Sequence, residues 1–158
     1  MTIRIERAER RHLVAWAELR AALWPDQGAA AHRDELAEDL LSADARSFAC
    51  LAVTAAGEAV GFAEAALRSD YVNGCETSPV VFLEGIFVRA DHRRGGVARQ
   101  LCRAVEDWGR SLGCSEFASD AAIDNHASLA FHRALGFVET ERVVFFRKAV
   151  AADGTKAG

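Results

Sequence analysis

The run Val80-Val81-Phe82-Leu83-Glu84-Gly85-Ile86-Phe87-Val88 constrains this chain more than any other segment. Its side chains are apolar apart from Glu84 and the bare Gly85. A strand with one wet face alternates apolar and polar residues; a continuous apolar run of this length predicts a central strand covered on both faces. The chain then passes through Asp91-His92-Arg93-Arg94-Gly95-Gly96 into a helical pattern, with Val97, Leu101, Val105, Trp108 and Leu112 at steps of 4, 4, 3 and 4. Gly113 is placed to cap that helix.

The flanking segments supply the other layers. Thr2-Ile3-Arg4-Ile5 alternates as a short strand. Residues 9–24 read as a helix that Trp24-Pro25 stops, because a residue before proline disfavours helix. Residues 30–41 read as an acid-rich helix with Leu36, Leu40 and Leu41 on its apolar face. Residues 47–54 and 59–68 flank Ala55-Ala56-Gly57-Glu58 as a hairpin. Residues 70–78 read as a loop and 114–119 as a short strand. A helix is expected from an Asp124 N-cap to Leu135, ending at Gly136. Residues 137–148, rich in Val and Phe, read as a last strand, and 151–158 as a frayed tail. The order β-α-α-β-β-β-α-β-α-β predicts an α/β fold: a mixed sheet, part antiparallel and part parallel, flanked by helices. The 158 residues suit one domain over 1–150 followed by the tail.

Charge narrows the partners. Lys plus Arg number 19 and Asp plus Glu 23, a net charge of −4. Nucleic-acid binding calls for clustered basic residues, yet the lysines are only Lys148 and Lys156. No nucleic-acid partner is expected. Cys50, Cys75, Cys102 and Cys114 have neither zinc spacing nor a C-x-x-C pair, so no metal site is expected. They read as reduced thiols of a cytoplasmic protein. The opening MTIRIERAERR lacks the apolar stretch of a signal peptide, and no run is long enough to cross a membrane.

The basic turn after residues 80–88 carries the most chemistry. A helix N-terminus presents unpaired N–H groups and partial positive charge. Glycines let those amides approach an anion, and arginine pairs with phosphate oxygens. Strand, Arg93-Arg94-Gly95-Gly96 and helix together predict a diphosphate cradle; in isolation the same residues read as a tight turn with solvated arginines. The turn matches neither a dinucleotide-binding nor an NTPase loop.

Arg93-x-x-Gly96-x-Ala98 resembles the acyl-CoA loop of GNAT-family N-acetyltransferases, whose pattern is [QR]-x-x-G-x-[GA]. Residues 125–137, from Asn125 through Phe131-His132 to Gly136-Phe137, resemble the family's later N-x-x-A-x-x-F-[YH]-x-x-x-G-F segment. Leu23-Trp24-Pro25, Asp70-Tyr71-Val72-Asn73-Gly74-Cys75, residues 78–88 and Glu139-Thr140-Glu141-Arg142-Val143 resemble aminoglycoside 6′-N-acetyltransferases. That resemblance covers roughly residues 3–148. It implies a GNAT fold, acetyl-CoA as co-substrate, a cationic aminoglycoside as amine substrate and a homodimer, with residues 143–146 at the dimer contact. The alternatives are a GNAT enzyme for a polyamine or peptide amine, and a non-catalytic acyl-CoA sensor.

The resemblance also distributes roles. Ile86, Phe87, Val88, Arg93, Arg94, Gly95, Gly96, Val97, Ala98, Asn125 and His132 fall at co-substrate positions. Trp24, Tyr71, Glu84, Asp120 and Glu141 fall at amine-substrate positions. Glu84 and Asp120 are the catalytic candidates. A carboxylate inside an apolar strand is costly unless paired or used, and burial is expected to raise the Glu84 pKa. It is read as base, as ammonium ligand, or as half of an ion pair with an arginine. Asp120 follows the short strand, where ligands gather in open α/β sheets, or it caps a loop. Gly85 suggests a bulge that frees the amides of residues 86–88. His132 stands where many relatives of this fold carry a tyrosine acid. Glu139 is a further cleft candidate, and the acidic face Asp34, Glu35, Glu38 and Asp39 reads as solvated surface.

Overall fold

A computed structural model describes residues 2–42 and 44–153; the side chain of Leu41, expected on an apolar helix face, lies outside the described residues, as does most of the expected tail. Five strands form one sheet in chain order: β1 (Ile3–Arg7), β2 (Ser47–Thr54), β3 (Ala59–Arg68), β4 (Val80–Val88) and β5 (Phe117–Ala118). The first four pair antiparallel, and β5 runs parallel to β4. Helices α1 (Leu13–Leu23), α2 (Ala29–Ser42), α3 (Val97–Ser111) and α4 (His126–Ala134) complete the fold.

The sheet is covered on both sides, as the apolar run of β4 requires. On one face, Leu101 and Val105 of α3 pack with Ala52, Val60, Ala63, Val81 and Leu83. On the other, Trp16 and Leu19 of α1 and Leu36 of α2 pack with Leu51, Val53 and Phe62. Leu101, Val105, Leu51 and Phe62 are fully buried; side chains of this kind contribute about 1.5–3 kcal/mol each. Helix α1 stops at Leu23, and the Trp24 N–H bonds back to the Arg20 carbonyl at 2.7 Å, where Pro25 forbids another helical residue.

Three expectations fail. The strand expected over 114–119 pairs only at Phe117 and Ala118. The strand expected over 137–148 is not formed: these residues join no ladder among the described residues. Val144, Phe145 and Phe146 are 77%, 86% and 92% exposed. Val and Phe favour a pleated surface only when a neighbouring strand is there to pack against, and this stretch has none within its own sheet. The N-cap of α4 is Asn125 rather than Asp124; the Asn125 side-chain oxygen accepts the Ser128 N–H at 3.1 Å.

Candidate active site

Strand β4 contains a bulge, and it shapes the site. Glu64 of β3 pairs with Gly85 while the next residue, Ala65, pairs with Leu83. Glu84 is therefore the extra residue on β4, left without a ladder partner on β3. Side-chain direction changes parity there. Val81 and Leu83 face the α3 core, and so do Ile86 and Val88 beyond the bulge, whereas Phe87 faces the α1 core. Glu84 and Gly85, consecutive in sequence, thus both belong to the α1 face.

Gly85 has its place because Trp24 occupies the space. A Cβ on Gly85 would lie 2.5 Å from the Trp24 ring, so only glycine admits the indole against the strand. Trp24 is half-buried and Tyr71, on the loop between β3 and β4, is 74% exposed.

Glu84 contradicts the expected burial. It is exposed, and Arg68 of β3 holds it at 3.0 and 3.3 Å. The Arg68 guanidinium lies 3.5 Å above the Phe82 ring, which fixes the pair along the strand.

The carboxylate that burial does push up, to about 7, is Glu64. It accepts the Trp16 indole N–H at 2.8 Å and faces Arg20 at 3.4 Å. Neither Glu64 nor Arg20 is singled out by the sequence. The signal for Glu64 is the one that marks Glu84: an acid inside an otherwise apolar strand.

Strands β4 and β5 part after Phe82↔Ala118. Glu84 and Asp120 each lie two residues beyond that last pair, so the parting brings them to the same level, and both are exposed. The β5-facing edge of residues 83–88 carries no ladder among the described residues, leaving amides near Ile86, Phe87 and Val88 open to a bound group. Glu141 is exposed; its neighbour Thr140 packs so closely on Gly74 that a Cβ there would strike the Thr140 hydroxyl. The segment with Glu141 therefore joins the loop with Tyr71.

At the other end of β4, Arg93 folds back and donates from Nε to the Val88 carbonyl at 2.8 Å, and its guanidinium covers Phe87 at 5.5 Å. Arg94 is exposed with φ of 65°. Gly96 precedes α3 with φ of +81°, a conformation side chains rarely adopt. Nothing lies within 4 Å of where its Cβ would be. No side chain caps α3, and its first turn has no acid. The amides that begin this helix, at Val97 and Ala98, are therefore available to an anion, and the site fits a diphosphate.

His132 on α4 bonds at both nitrogens. Nδ1 lies 2.7 Å from the Ser128 carbonyl and Nε2 lies 2.8 Å from the Ser119 hydroxyl. A carbonyl only accepts, so Nδ1 carries a hydrogen; in the neutral ring Nε2 then accepts from Ser119. Asn125 spends its side-chain oxygen on the α4 cap. The acidic α2 face contributes Glu35, 3.5 Å from Arg20. Glu139 pairs with Arg133 and Arg142.

Comparison with known proteins agrees with this architecture. Residues 13–137 match the model of the acetyltransferase (GNAT) family. The aminoglycoside N(6′)-acetyltransferase type 1 of Salmonella typhimurium is 51% identical over 144 residues, 91% of this chain and 97% of that one. The enzyme of the same name from Stenotrophomonas maltophilia is 53% identical over 133 residues, 84% of each. Among solved structures, AAC(6′)-Iy bound to the bisubstrate analogue CoA-S-monomethyl-acetylneamine has 47% identity and a TM-score of 0.86, over 95% of this chain and all of that one. AAC(6′)-Ih from Acinetobacter baumannii has 45% identity and a TM-score of 0.89, with the same coverage. With its parted parallel strands, its bulge and an uncapped helix after a basic glycine turn, this chain belongs to the GNAT acetyltransferase family.

Proposed function

We propose that this protein transfers the acetyl group of acetyl-CoA to the 6′-amine of aminoglycoside antibiotics by direct attack of the amine. The observation that carries the reading is the pair Glu84 and Asp120 where β4 and β5 part, in a chain 51% identical to an aminoglycoside N(6′)-acetyltransferase. Acetylation turns an ammonium into a neutral amide, removing one of the drug's charges and with it part of its affinity for anionic targets.

Each end of β4 has its own electrostatic task. Val97 and Ala98, with Gly95, Gly96, Arg93 and Arg94, hold the CoA diphosphate. The amides near Ile86, Phe87 and Val88 hold the pantetheine arm and thioester oxygen, with Asn125 and His132 alongside. Glu84, Asp120 and Glu141 receive the ammonium groups of the antibiotic, while Trp24 and Tyr71 offer apolar faces to its rings. Glu84 or Asp120 takes a proton from the ammonium, directly or through water. The freed amine attacks the thioester carbon; the C–N bond forms, the C–S bond breaks, the sulfur leaves with its electron pair, and the nitrogen's second proton passes to that thiolate, directly or through water, to give the neutral amide and free CoA thiol. The Arg68 pair keeps Glu84 oriented toward the cleft.

Glu84→Gln and Asp120→Asn are each expected to lower kcat/KM for tobramycin by about 10²-fold or more, read as CoA thiol release. Unchanged CoA binding alongside no turnover in the unaltered protein would instead identify an acyl-CoA sensor. Turnover with a polyamine but not with tobramycin would identify an acetyltransferase of another amine.

The exposed segment with Val143, Val144, Phe145 and Phe146 supports a homodimer in which this stretch packs on a second copy; apolar surface of this extent marks interaction sites. The buried, unpaired thiols Cys50 and Cys102 suit a reducing cytoplasm. No helix among the described residues is long and apolar enough to cross a membrane.

A further inference from the structure

We propose that Glu64 is a positioning residue for the amine-substrate wall of the cleft: it fixes Arg20, and through Arg20 the Trp24 ring beside Glu84. The inference rests on the assignment of Trp24 and Glu84 to that wall.

The contacts close on themselves. Glu64 is the ladder partner of Gly85. Its carboxylate faces Arg20 Nε at 3.4 Å, and the Arg20 guanidinium lies over the Trp24 ring, 5.3 Å from its centre. The edge of that ring rests on Gly85. The path Glu64, Arg20, Trp24, Gly85 therefore returns to the residue opposite its start. Trp16 donates its indole N–H to the same carboxylate and pins it to α1. Arg20 is buried, and its Nε has no hydrogen-bond partner; Glu64 faces that Nε at 3.4 Å, while Glu35 of α2 meets the other end of the guanidinium at 3.5 Å and is half exposed, so the buried charge of Glu64 is the one that sets Arg20 beside Trp24. The Trp24 backbone is held by His32, which donates from Nε2 to the Trp24 carbonyl at 3.1 Å.

The Glu64 charge is set by opposing groups. Burial and the acids Glu35 and Asp39 of α2 raise its pKa to about 7; Arg20 and the Trp16 bond pull it down. On β4, Glu84 lies beside Glu64's partner Gly85 and carries its own Arg68 pair. Lowering the pH through 7 protonates Glu64 and leaves Arg20 with the more exposed Glu35 alone, so the wall loosens as the medium becomes acidic.

The test is a double-mutant cycle in KM for tobramycin. Glu64→Gln keeps the volume and the acceptor for Trp16 but removes the charge. It is expected to raise the tobramycin KM about tenfold, leave the acetyl-CoA KM within twofold and lower kcat no more than threefold. Glu64→Asp restores most of the loss. In a Trp24→Ala background, Glu64→Gln should add nothing. The unaltered enzyme should show tobramycin KM rising as pH falls through about 7, beyond the change shared with Glu64→Gln. Arg20→Lys, which keeps the charge but not the flat stack, should copy the phenotype and replaces Glu64→Gln in the cycle if that variant does not fold. Additive effects of Glu64→Gln and Trp24→Ala, or equal rises in both KM values, would overturn the proposal while leaving the wall assignment standing. An unchanged tobramycin KM in Trp24→Ala alone would overturn the wall assignment, and the proposal with it.

Discussion

A methyl group at position 85 has nowhere to go. Its carbon would sit 2.5 Å from the Trp24 ring, an indole that the Arg20 guanidinium covers and whose backbone carbonyl His32 holds. Gly85→Ala should therefore push the indole off the strand, costing about 1–3 kcal/mol of stability and raising the aminoglycoside KM several-fold. Thermal melting and steady-state kinetics read the two effects, and a variant unchanged in both would show that the ring is not confined. At this scale the sequence is half legible. Gly85 was readable as a bulge because a glycine inside an apolar strand has few other uses. The burial of acids was not: Glu84 and Glu64 occupy similar apolar contexts, yet Arg68 keeps the first in solvent while Trp16, 48 residues upstream, encloses the second. Which acid is covered depends on where α1 lies across the sheet, and no local pattern encodes that.

Strand β4, its basic turn and α3 work as one element. The strand carries the exposed carboxylate and open amides; the helix behind the turn carries the uncapped N-terminus proposed to hold the diphosphate. Both were legible because their signals are local: an unbroken apolar run and a 3-and-4 spacing over one face. Gly96→Glu should lower CoA affinity by at least 10²-fold in titration calorimetry, since it forces a side chain into a left-handed backbone and sets a carboxylate at the diphosphate position. Unaltered affinity would place the diphosphate elsewhere. The stretch after α4 is the opposite case. Its Val and Phe pattern has the composition of a strand, but among the described residues no strand pairs with it.

That unpaired stretch connects to the whole molecule. Phe145, Phe146 and Val150 each leave more than four-fifths of their surface in water, a condition that the proposed second copy would relieve. The protein should elute as a dimer in light-scattering chromatography, and Phe145→Asp combined with Phe146→Asp should give a monomer; a monomeric parent would remove the dimer from the account. The net charge of −4 averages two unlike regions, the arginines and amides at the head of α3 and the exposed carboxylates Glu84 and Asp120 at the parting of β4 and β5, with Glu141 exposed on the segment that joins the Tyr71 loop. One suits an anionic acyl carrier, the other a polycation. The most direct test of that pairing is thiol release from acetyl-CoA with tobramycin and with an aminoglycoside whose 6′ position carries a hydroxyl, the product being located by NMR. The account predicts release with tobramycin alone and acetyl on the 6′ nitrogen; no release with any 6′-amino aminoglycoside, or equal release with the 6′-hydroxy compound, would contradict it.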